Sequence, residues 1–385
     1  MKDVIVVGGG PAGLFAALRL AEEGLDVLVL EEHEQVGVPT HCTGIVSGET
    51  SRLYKVPDEV VLSRPQSCLV VSPGGRVARL EDPGEEIAVL DRAAFDLALA
   101  AGVLEAGGAV RTSCRVDHVG KHARFVEVTT EGGERLHARA LVLACGVTFR
   151  FHPLIGARLP SPILHTAQLE LAAAPAEALE VHVGRSVAPE GFAWLAPFRR
   201  RDAPYLKAGV LLRGDASACL DRFLTCPVVA ERLRETPGEV VRRVLPLGPV
   251  ARSYADRILA VGDAAGLTKP VSGGGIFYSL LSAQFASETL VEALGADDLG
   301  AARLSRYEAR WHDRLMPEMR IARWFRNRLA GLTDREWDTF VVALASVDVQ
   351  SIIKRDSRFN WHSSLIMSMI KQPGIGAILF RSLFR

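Results

Sequence analysis

Apolar and polar residues near the N-terminus follow a strand–turn–helix–strand order. Four consecutive apolar residues at 4–7 predict a buried strand that ends in the glycine-rich stretch 8–13. Apolar residues at helical spacing over 14–23 predict a helix, and a second apolar run at 27–30 predicts another buried strand, closed by Glu31. We therefore expect two parallel strands joined by a helix, with a tight glycine turn after the first strand.

The pattern between Glu31 and Gly146 is less regular and predicts short elements. We expect a long loop with short helical pieces to about residue 63 and then short strands over 67–90. The remaining predictions are turns at 73–75 and 83–84, a helix from Asp91 to about 105, a strand at 109–112, a hairpin over 115–138 around 132–133, and an apolar strand at 141–143.

The pattern changes again after residue 163. Strand-like stretches recur at 168–171, 179–183, 192–197 and 206–212, with a helical section near 215–235, which predicts a second, mainly antiparallel domain. A buried strand returns at 258–261, followed by a glycine-rich stretch and a helix from about 273 to 294. The pattern is helical after 297. The N-terminal fold is thus completed by residues far downstream.

Composition and charge exclude several classes of protein. The chain has 385 residues, with 45 Lys plus Arg and 45 Asp plus Glu, so no net field attracts a polyanion and we expect no nucleic-acid partner. Hydrophobic residues make up 48% and charged residues 23%, which are values typical of a globular protein. No apolar run approaches the roughly 20 residues of a membrane span. Because no signal peptide precedes the first strand, the expected location is cytoplasmic.

The six cysteines and ten histidines do not predict a metal centre. No two cysteines form a C-x-x-C pair, and the histidines lack metal-binding spacing on a helix face. We therefore expect no metal ion.

The first chemical motif is Gly8-x-Gly10-x-x-Gly13, placed after a strand and before a helix. Glycines at this spacing let the backbone approach a pyrophosphate, whose charge lies at the helix N-terminus. Glu31 is placed to bind the ribose hydroxyls of the adenosine. The structural alternative is a tight strand–helix turn without a ligand.

The second motif runs from Gly262-Asp263-Ala264-Ala265-Gly266 to Pro270 and on to Gly273-Gly274-Gly275-Ile276. It resembles the second FAD signature of the p-hydroxybenzoate hydroxylase superfamily. The resemblance implies that Asp263 binds the ribityl chain, that the following helix directs its N-terminus at the isoalloxazine, and that Arg92 lies near the FAD. The candidate FAD-binding residues are Gly8, Gly10, Ala12, Gly13, Glu31, Glu32, Cys42, Arg92, Gly146, Gly262, Asp263, Pro270, Gly273, Gly274, Gly275 and Ile276.

Two further motifs are similar to those of the geranylgeranyl reductase family. The loop Pro39-Thr40-His41-Cys42-Thr43-Gly44 resembles its flavin-side loop, which implies that Cys42 lies beside the isoalloxazine, and His41 is a candidate proton relay. The stretch 192–197 resembles its Y-x-W-x-F-P motif of the substrate cavity, with Phe192 in place of tyrosine and Ala196 in place of phenylalanine. Phe192, Trp194 and Pro197 are therefore candidate substrate-binding residues, and Cys42 and His41 candidate catalytic residues.

These resemblances imply an α/β fold in three parts. The expected parts are an FAD-binding Rossmann-like domain of the p-hydroxybenzoate hydroxylase type (1–160 plus 248–296), a mainly antiparallel β substrate domain (161–247) and a helical C-terminal region (297–385). The C-terminal apolar stretches 365–370 and 375–380 suit either a cap on the substrate domain or interfacial helices at the inner face of a membrane. The charged run Arg199–Arg201 suits a solvated loop or a contact with a lipid headgroup.

The electron donor is left open by the sequence. Hydroxylases of the superfamily carry an Asp-Gly pair where this chain has Cys145-Gly146. Because that pair is implicated in binding FAD and NAD(P)H, both NAD(P)H and a ferredoxin are candidates for the donor.

The expected activity is reduction of double bonds in the prenyl chain of a lipid-like substrate, by hydride transfer from reduced flavin together with protonation of the alkene. The alternative is a flavin-dependent monooxygenase or halogenase that acts on an apolar or aromatic substrate through a hydroperoxyflavin. Absence of flavin from the folded protein would contradict both.

Overall fold

A computed structural model describes residues 1–81, 86–157, 162–235 and 238–381 of the chain. The fold is mixed α/β, with three sheets and a helical C-terminal region. The strands are β1 (Lys2–Val7), β2 (Val27–Leu30), β3 (Ile45–Ser47), β4 (Val61–Ser63), β5 (Ser67–Val71), β6 (Val77–Glu81), β7 (Ile87–Leu90), β8 (Ala109–Arg111), β9 (Val116–Lys121), β10 (Val126–Thr130), β11 (Arg135–Leu143), β12 (Ile163–Ala172), β13 (Leu179–Val183), β14 (Phe192–Arg200), β15 (Ala203–Leu212), β16 (Val241–Pro246), β17 (Tyr254–Ala255) and β18 (Ile258–Ala260). The helices are α1 (Pro11–Glu22), α2 (Arg92–Glu105), α3 (Ala216–Thr225), α4 (Pro227–Ala230), α5 (Ile276–Gly295), α6 (Ala301–Ala330), α7 (Asp334–Leu344), α8 (Val347–Asp356), α9 (Ser363–Ile370) and α10 (Pro373–Arg381).

The first sheet carries the glycine-rich motifs at one edge. Its strands are ordered β17-β18-β11-β1-β2-β8, and the pairs from β18 to β8 are parallel. The side chains of 4–7 are almost completely buried, as the apolar run predicted. The carboxyl ends of β1, β2, β11 and β18 meet at one edge, which is where doubly wound sheets bind ligands.

One strand of this sheet differs from the prediction. β11 runs without interruption over Arg135–Leu143, whereas the sequence predicted a hairpin ending at 138 and a separate strand at 141–143. The strand continues because Ala138 pairs with β10 on one side and with β1 on the other. The hairpin around 132–133 is present between β10 and β11, and β9 adds a third antiparallel strand.

The second sheet has seven strands in the order β16-β12-β15-β14-β13-β5-β6 and is mainly antiparallel, as predicted. It includes β5 and β6, which lie within the interval 1–160 assigned to the FAD-binding domain, because β5 pairs in parallel with β13. The turn at 73–75 joins β5 to β6. The predicted turn at 83–84 and the predicted boundary at 160/161 lie outside the described residues. The division into three domains therefore stays a prediction.

The helices cover the first sheet and close the cavity between the sheets. α1 packs on α5, where Ser287 Oγ donates to the Ala16 carbonyl at 3.2 Å. α5 begins at Ile276, three residues later than predicted. In the described part of the chain no single helix is long and apolar enough to cross a membrane. α9 and α10 together satisfy the length and composition of a span but are bent by 95°.

Candidate functional site

A cavity of about 890 Å³ extends between the two larger sheets and the C-terminal helices. Most of the predicted site residues line it, and five do not: Ala12, Gly13, Gly262 and Pro270 of the FAD set, and Pro197 of the substrate set. The predicted residues that line it are Gly8, Gly10, Glu31, Glu32, His41, Cys42, Arg92, Gly146, Phe192, Trp194, Asp263, Gly273, Gly274, Gly275 and Ile276.

The first glycine motif forms a cradle at the start of α1. Gly8 has a φ of +112°, and a Cβ there would overlap with the Ala144 carbonyl; a Cβ on Gly13 would overlap with the Gly8 carbonyl. Gly10 differs, since a Cβ there would meet nothing within 4 Å. Gly10 is the N-cap of α1, no side chain caps this helix, and the main chain from Gly8 to Pro11 lines the cavity. This cradle fits the pyrophosphate of FAD.

Ala12, Gly13 and Gly262 act through packing. Gly262 has a φ of +58°, and a Cβ there would lie 2.8 Å from the Ala12 Cβ. The two FAD signatures are thus held against each other by residues that do not reach the cavity. Ser282 Oγ accepts a hydrogen bond from Gly262 N at 3.0 Å and fixes the second turn on α5.

Glu31 lies at the carboxyl end of β2 and is 8% exposed. Its Oε2 accepts from Gly9 N at 2.7 Å, and its Oε1 accepts from His33 N at 2.9 Å. The carboxylate is therefore oriented by the glycine turn, at the edge of the cavity where the adenosine ribose was expected. Glu32 is exposed beside it, 3.8 Å from the Arg115 guanidinium.

A buried arginine connects the flavin-side loop to the second signature. Arg92 forms a bidentate ion pair with Asp96, with Nη2–oxygen distances of 3.1 and 3.0 Å. Burial lowers the Arg92 pKa, but Asp96 and then the Cys42 thiol raise it, and the net change is upward. Burial raises the pKa of Asp263 to about 6, although the Arg92 charge opposes this. The positive charge of Arg92 therefore interacts with both Cys42 and Asp263.

Cys42 and His41 lie on the loop that faces this arginine. Cys42 Sγ accepts from Gly44 N at 3.3 Å. His41 Nε2 accepts from Arg243 Nη2, and burial together with the charge of Arg243 lowers the His41 pKa to about 4. His41 Nδ1 is buried and has no partner among the described residues. The His41 ring is therefore neutral at pH 7.

The sequence did not predict a role for residues 359–362, which lie between α8 and α9 and are hydrogen-bonded to residues that follow the flavin-side loop. The Lys269 ammonium donates to Phe359 O at 3.1 Å and to Asn360 Oδ1 at 3.2 Å. Asn360 Nδ2 in turn donates to Ser47 Oγ and to Glu49 Oε2, both at 3.0 Å. Asn360 is 1% exposed. The segment thus joins the loop before Pro270 to the loop after Cys42, and no local pattern in the sequence marks it.

Arg326 on α6 fixes the same loop from another side. Its Nη1 donates to Pro270 O at 3.2 Å, and its Nη2 donates to Glu190 O at 2.5 Å. Burial lowers the Arg326 pKa to about 10. The carbonyl of Pro270, and not its ring, is therefore the group that connects this loop to α6.

The wall of the cavity that carries the predicted substrate-binding residues includes Phe192 and Trp194 of β14. Phe192 and Trp194 face the cavity, with ring centroids 5.9 Å apart. The Trp194 indole lies over Gly209 on the paired strand, where a Cβ would overlap with the ring. Pro197 lies on the opposite face by strand alternation, and its carbonyl accepts from Ser63 Oγ at 2.6 Å.

Beyond Phe192 the cavity continues into what we call the apolar arm. Its walls are side chains of the C-terminal helices, which the sequence did not assign to the site. They are Phe325, Leu329, Trp337, Phe340, Leu344, Ile353, Leu365 and Met369. The helical region therefore serves as a wall of the cavity as well as a core of its own.

Cys145 and Gly146 line the cavity beside the first glycine motif, since a Cβ on Gly8 would lie 3.1 Å from Cys145 N. Burial raises the pKa of the Cys145 thiol to about 11, so it is neutral. Gly146 has a φ of +57°, and a Cβ there would meet nothing within 4 Å. Together with Gly10 and the stretch 273–275, this leaves backbone exposed on several sides of the cavity, which fits a flat, ring-containing cofactor. In the described residues no group of three or more His, Cys, Asp and Glu side chains is placed to hold a metal ion.

Comparisons with known proteins agree with this geometry. Residues 3–47 match the model of an FAD binding domain family. The chain is 32% identical over 364 residues to digeranylgeranylglycerophospholipid reductase 1 of Methanopyrus kandleri, covering 90% of this chain and 95% of that protein. A geranylgeranyl bacteriochlorophyll reductase-like protein from Thermoplasma acidophilum has the same fold, with a TM-score of 0.86, 21% identity and coverage of 99% of both chains. A flavin-dependent brominase is similar in fold at a TM-score of 0.73, with 15% identity and coverage of 100% of this chain and 98% of that chain.

Proposed function

The chain belongs to the geranylgeranyl reductase family, and from this premise we propose that its substrate is a glycerophospholipid carrying geranylgeranyl chains. Membership makes it an FAD-dependent oxidoreductase that reduces carbon–carbon double bonds of prenyl chains. The observation that carries the proposal is the apolar arm, since it prolongs the cavity beyond the flavin side with apolar side chains, which favour an apolar ligand. The brominase resembles the chain in fold alone.

The residues suited to hold FAD are distributed along the cavity. We assign the pyrophosphate to the N-terminus of α1 at Gly10, the adenosine ribose to Glu31, and the ribityl chain to Asp263. Bound FAD, once reduced, supplies the hydride that the alkene receives. Arg92 carries a positive charge beside Cys42 and Asp263, and that charge favours an electron-rich ring.

We assign the proton that accompanies reduction to Cys42 Sγ. An isolated alkene is electron-rich, so a proton must arrive at the less substituted carbon, and positive charge then develops on the more substituted carbon that receives the hydride. Cys42 lines the cavity, and its sulfur lies beside the Arg92 guanidinium. His41 is neutral and accepts at Nε2 from Arg243, so we assign no proton transfer to it.

Phe192, Trp194 and the apolar arm hold the prenyl chain and exclude water. A dry cavity strengthens the electrostatic effect of Arg92 on the reacting atoms. We further propose that the C-terminal helices contact a membrane at its surface, because Val347, Met367 and Phe380 are 81%, 47% and 60% exposed. NAD(P)H and a ferredoxin both remain candidate donors.

The proposal is tested under anaerobic conditions. The purified flavoprotein is reduced with dithionite and mixed with a digeranylgeranylglycerophospholipid, and flavin reoxidation is followed together with the product mass. We expect reoxidation and a mass gain of two hydrogens per double bond reduced. The same lipid with saturated chains is the control and leaves the flavin reduced. If the flavin is reoxidised only after oxygen is admitted, the proposed activity is wrong.

A matched pair of variants tests the proton assignment. We expect Cys42→Ser to slow the reaction by about 100-fold, the lower end of the effect of a general acid. Cys226→Ser changes an exposed cysteine and leaves the rate unchanged. The flavin content of both variants is measured first. Equal rates in the two variants would remove Cys42 from the reaction.

A further inference from the structure

A second cavity of about 440 Å³ shares a wall with the main one. Thr166 and Arg243 line both cavities, and the second, which is open to solvent, is also lined by Ser217 and by the exposed residues Arg242 and His165. We call this second cavity the arginine pocket. It lies between the edge strand β16, the adjacent β12 and the N-terminus of α3.

Two arginines give the pocket its charge. Arg242 Nε donates to Ser217 Oγ at 2.6 Å and Nη1 donates to Val240 O at 3.3 Å, which fixes the plane of the guanidinium. Arg243 donates to the neutral His41. Within the described part of the chain, no ion pair joins either guanidinium to a carboxylate. Two positive charges therefore face one carboxylate in the lining, Asp215, and the charge of Glu32 acts on Arg243 from outside the pocket.

The acidic residue in the wall is already engaged. The Asp215 carboxylate accepts from Ala218 N at 3.1 Å as the N-cap of the ten-residue helix α3. It caps the helix, while the two guanidinium groups, Ser217 and His165 line the same space. An oriented arginine fork with a hydroxyl and an imidazole beside it is a set of groups that binds a tetrahedral oxyanion.

We propose that the arginine pocket binds a phosphate group that belongs to a ligand reaching into the main cavity. Arg243 and Thr166 stand at the shared wall, and the neighbouring β12 residue Gln168 accepts from Thr43 Oγ1 at 3.2 Å, next to Cys42. A ligand whose phosphate lies in the pocket thus passes Cys42 on its way towards Trp194. The phosphate belongs either to the headgroup of the prenyl lipid, which rests on the proposed function, or to a dinucleotide electron donor.

The first test uses inorganic pyrophosphate and the FAD-loaded protein in a calorimetric titration at fixed ionic strength. We expect Arg242→Gln to weaken pyrophosphate binding by about tenfold or more. Arg135→Gln changes an exposed arginine of the β10–β11 hairpin and serves as the matched control, with affinity within about twofold of the original. Arg242→Lys keeps the charge without the fork and gives an intermediate loss. The proposal is overturned if pyrophosphate does not bind, or binds all four proteins equally.

The second test identifies the source of the phosphate. Geranylgeranyl diphosphate and geranylgeraniol differ only in the phosphates, and their binding is followed by the change in flavin absorbance. If the phosphate is a headgroup, Arg242→Gln weakens the diphosphate and leaves the alcohol unchanged. If it belongs to the donor, the variant slows flavin reduction by NADPH and leaves both prenyl ligands unchanged. Failure of every prenyl ligand to bind, with pyrophosphate binding intact, overturns the proposed function and the headgroup source but not the pocket.

Discussion

The two ends of the main cavity are built in different ways. The nucleotide end is backbone from short contiguous motifs, where Gly8, Gly10 and Gly13 bring main chain to the cavity edge or pack it tightly. The apolar arm is side chain from distant elements, with β14 on one wall and α6 to α9 on the other. Gly8 and Gly13 therefore leave no room for an added methyl group, whereas the arm is defined by the volume and apolar character of side chains that can be exchanged.

The glycine cradle gives the largest expected effect. We expect Gly13→Ala to destabilise the protein by about 3 kcal/mol or more and to abolish FAD binding, because its Cβ would overlap with the Gly8 carbonyl. Gly10→Ala keeps its stability, since its Cβ meets no protein atom, and loses only cofactor affinity. Thermal unfolding of the apoprotein and the flavin content of the purified protein separate the two effects. Gly295→Ala, outside the cavity, is the control, and full flavin content in Gly13→Ala would contradict this account.

The buried ion pair is expected to give the next largest effect. We expect Arg92→Met to destabilise the protein by about 3–5 kcal/mol, because it leaves the Asp96 carboxylate buried without a partner. Arg92→Met with Asp96→Leu recovers most of this loss. Arg19→Met removes an exposed pair with Glu22 and costs about 1 kcal/mol or less. Urea unfolding of the three apoproteins measures the differences, and equal stability of the two single variants would show that burial of the Arg92 pair has no importance.

The pH dependence of the free energy of unfolding tests the role of the segment 359–362. Burial and then the Lys269 charge lower the His362 pKa from 6.5 to about 3. Between these values the unfolded chain binds the proton more strongly, so the free energy of unfolding falls as pH decreases, by up to about 1.4 kcal/mol per pH unit. Above pH 6.5 the stabilisation is complete. His362→Gln removes this part of the slope, while His41 contributes with the same sign in both proteins. Identical slopes in urea unfolding from pH 7 to 4 would contradict the prediction.

The smallest expected effect concerns the prenyl end. In Gly209→Ala the new Cβ would overlap with the Trp194 ring and displace it. We expect KM for the prenyl substrate to rise by about tenfold with little change in kcat, because ground-state and transition-state binding are weakened alike. Flavin content stays the same, since Gly209 is remote from the cradle. A loss of flavin in this variant would show that the two ends are not independent.

The sequence predicted the parts of the site that depend on local geometry. A glycine at position 8 indicates a turn that needs a positive φ, which is +112° in the structure. The second signature and the N-cap at Asp91, which accepts from Ala94 N, are also recognisable from the local sequence. The placement of Ala12, Gly262 and Pro197 was not predicted, because a motif identifies neighbours in the chain without stating which side chains face a ligand. Ala12 and Gly262 pack the signatures together, and strand alternation turns Pro197 away.

Tertiary contacts account for what the sequence did not predict. Asn360 contacts Ser47 across 313 positions, and Lys269 contacts Phe359 across 90. No periodicity covers such distances. The position of β5 and β6 in the second sheet was not predicted for the same reason. The alternation of apolar and polar residues in these two strands is equally compatible with a separate hairpin, and only the pairing of β5 with β13 places them in the second sheet.

The strand order of the first sheet also sets the order of events during synthesis. β1 is made first, but its neighbour β11 is completed by β18, and α1 is covered by α5, both of which leave the ribosome only after the whole second sheet. The apolar face of α1 is therefore without its cover from α5 while the strands of the antiparallel sheet are being synthesised, and exposed apolar surface of this kind favours aggregation. A chain that stops before residue 276 has all the strands of the second sheet but lacks α5 and the helices of the apolar arm, so we expect such fragments to be held by chaperones or degraded.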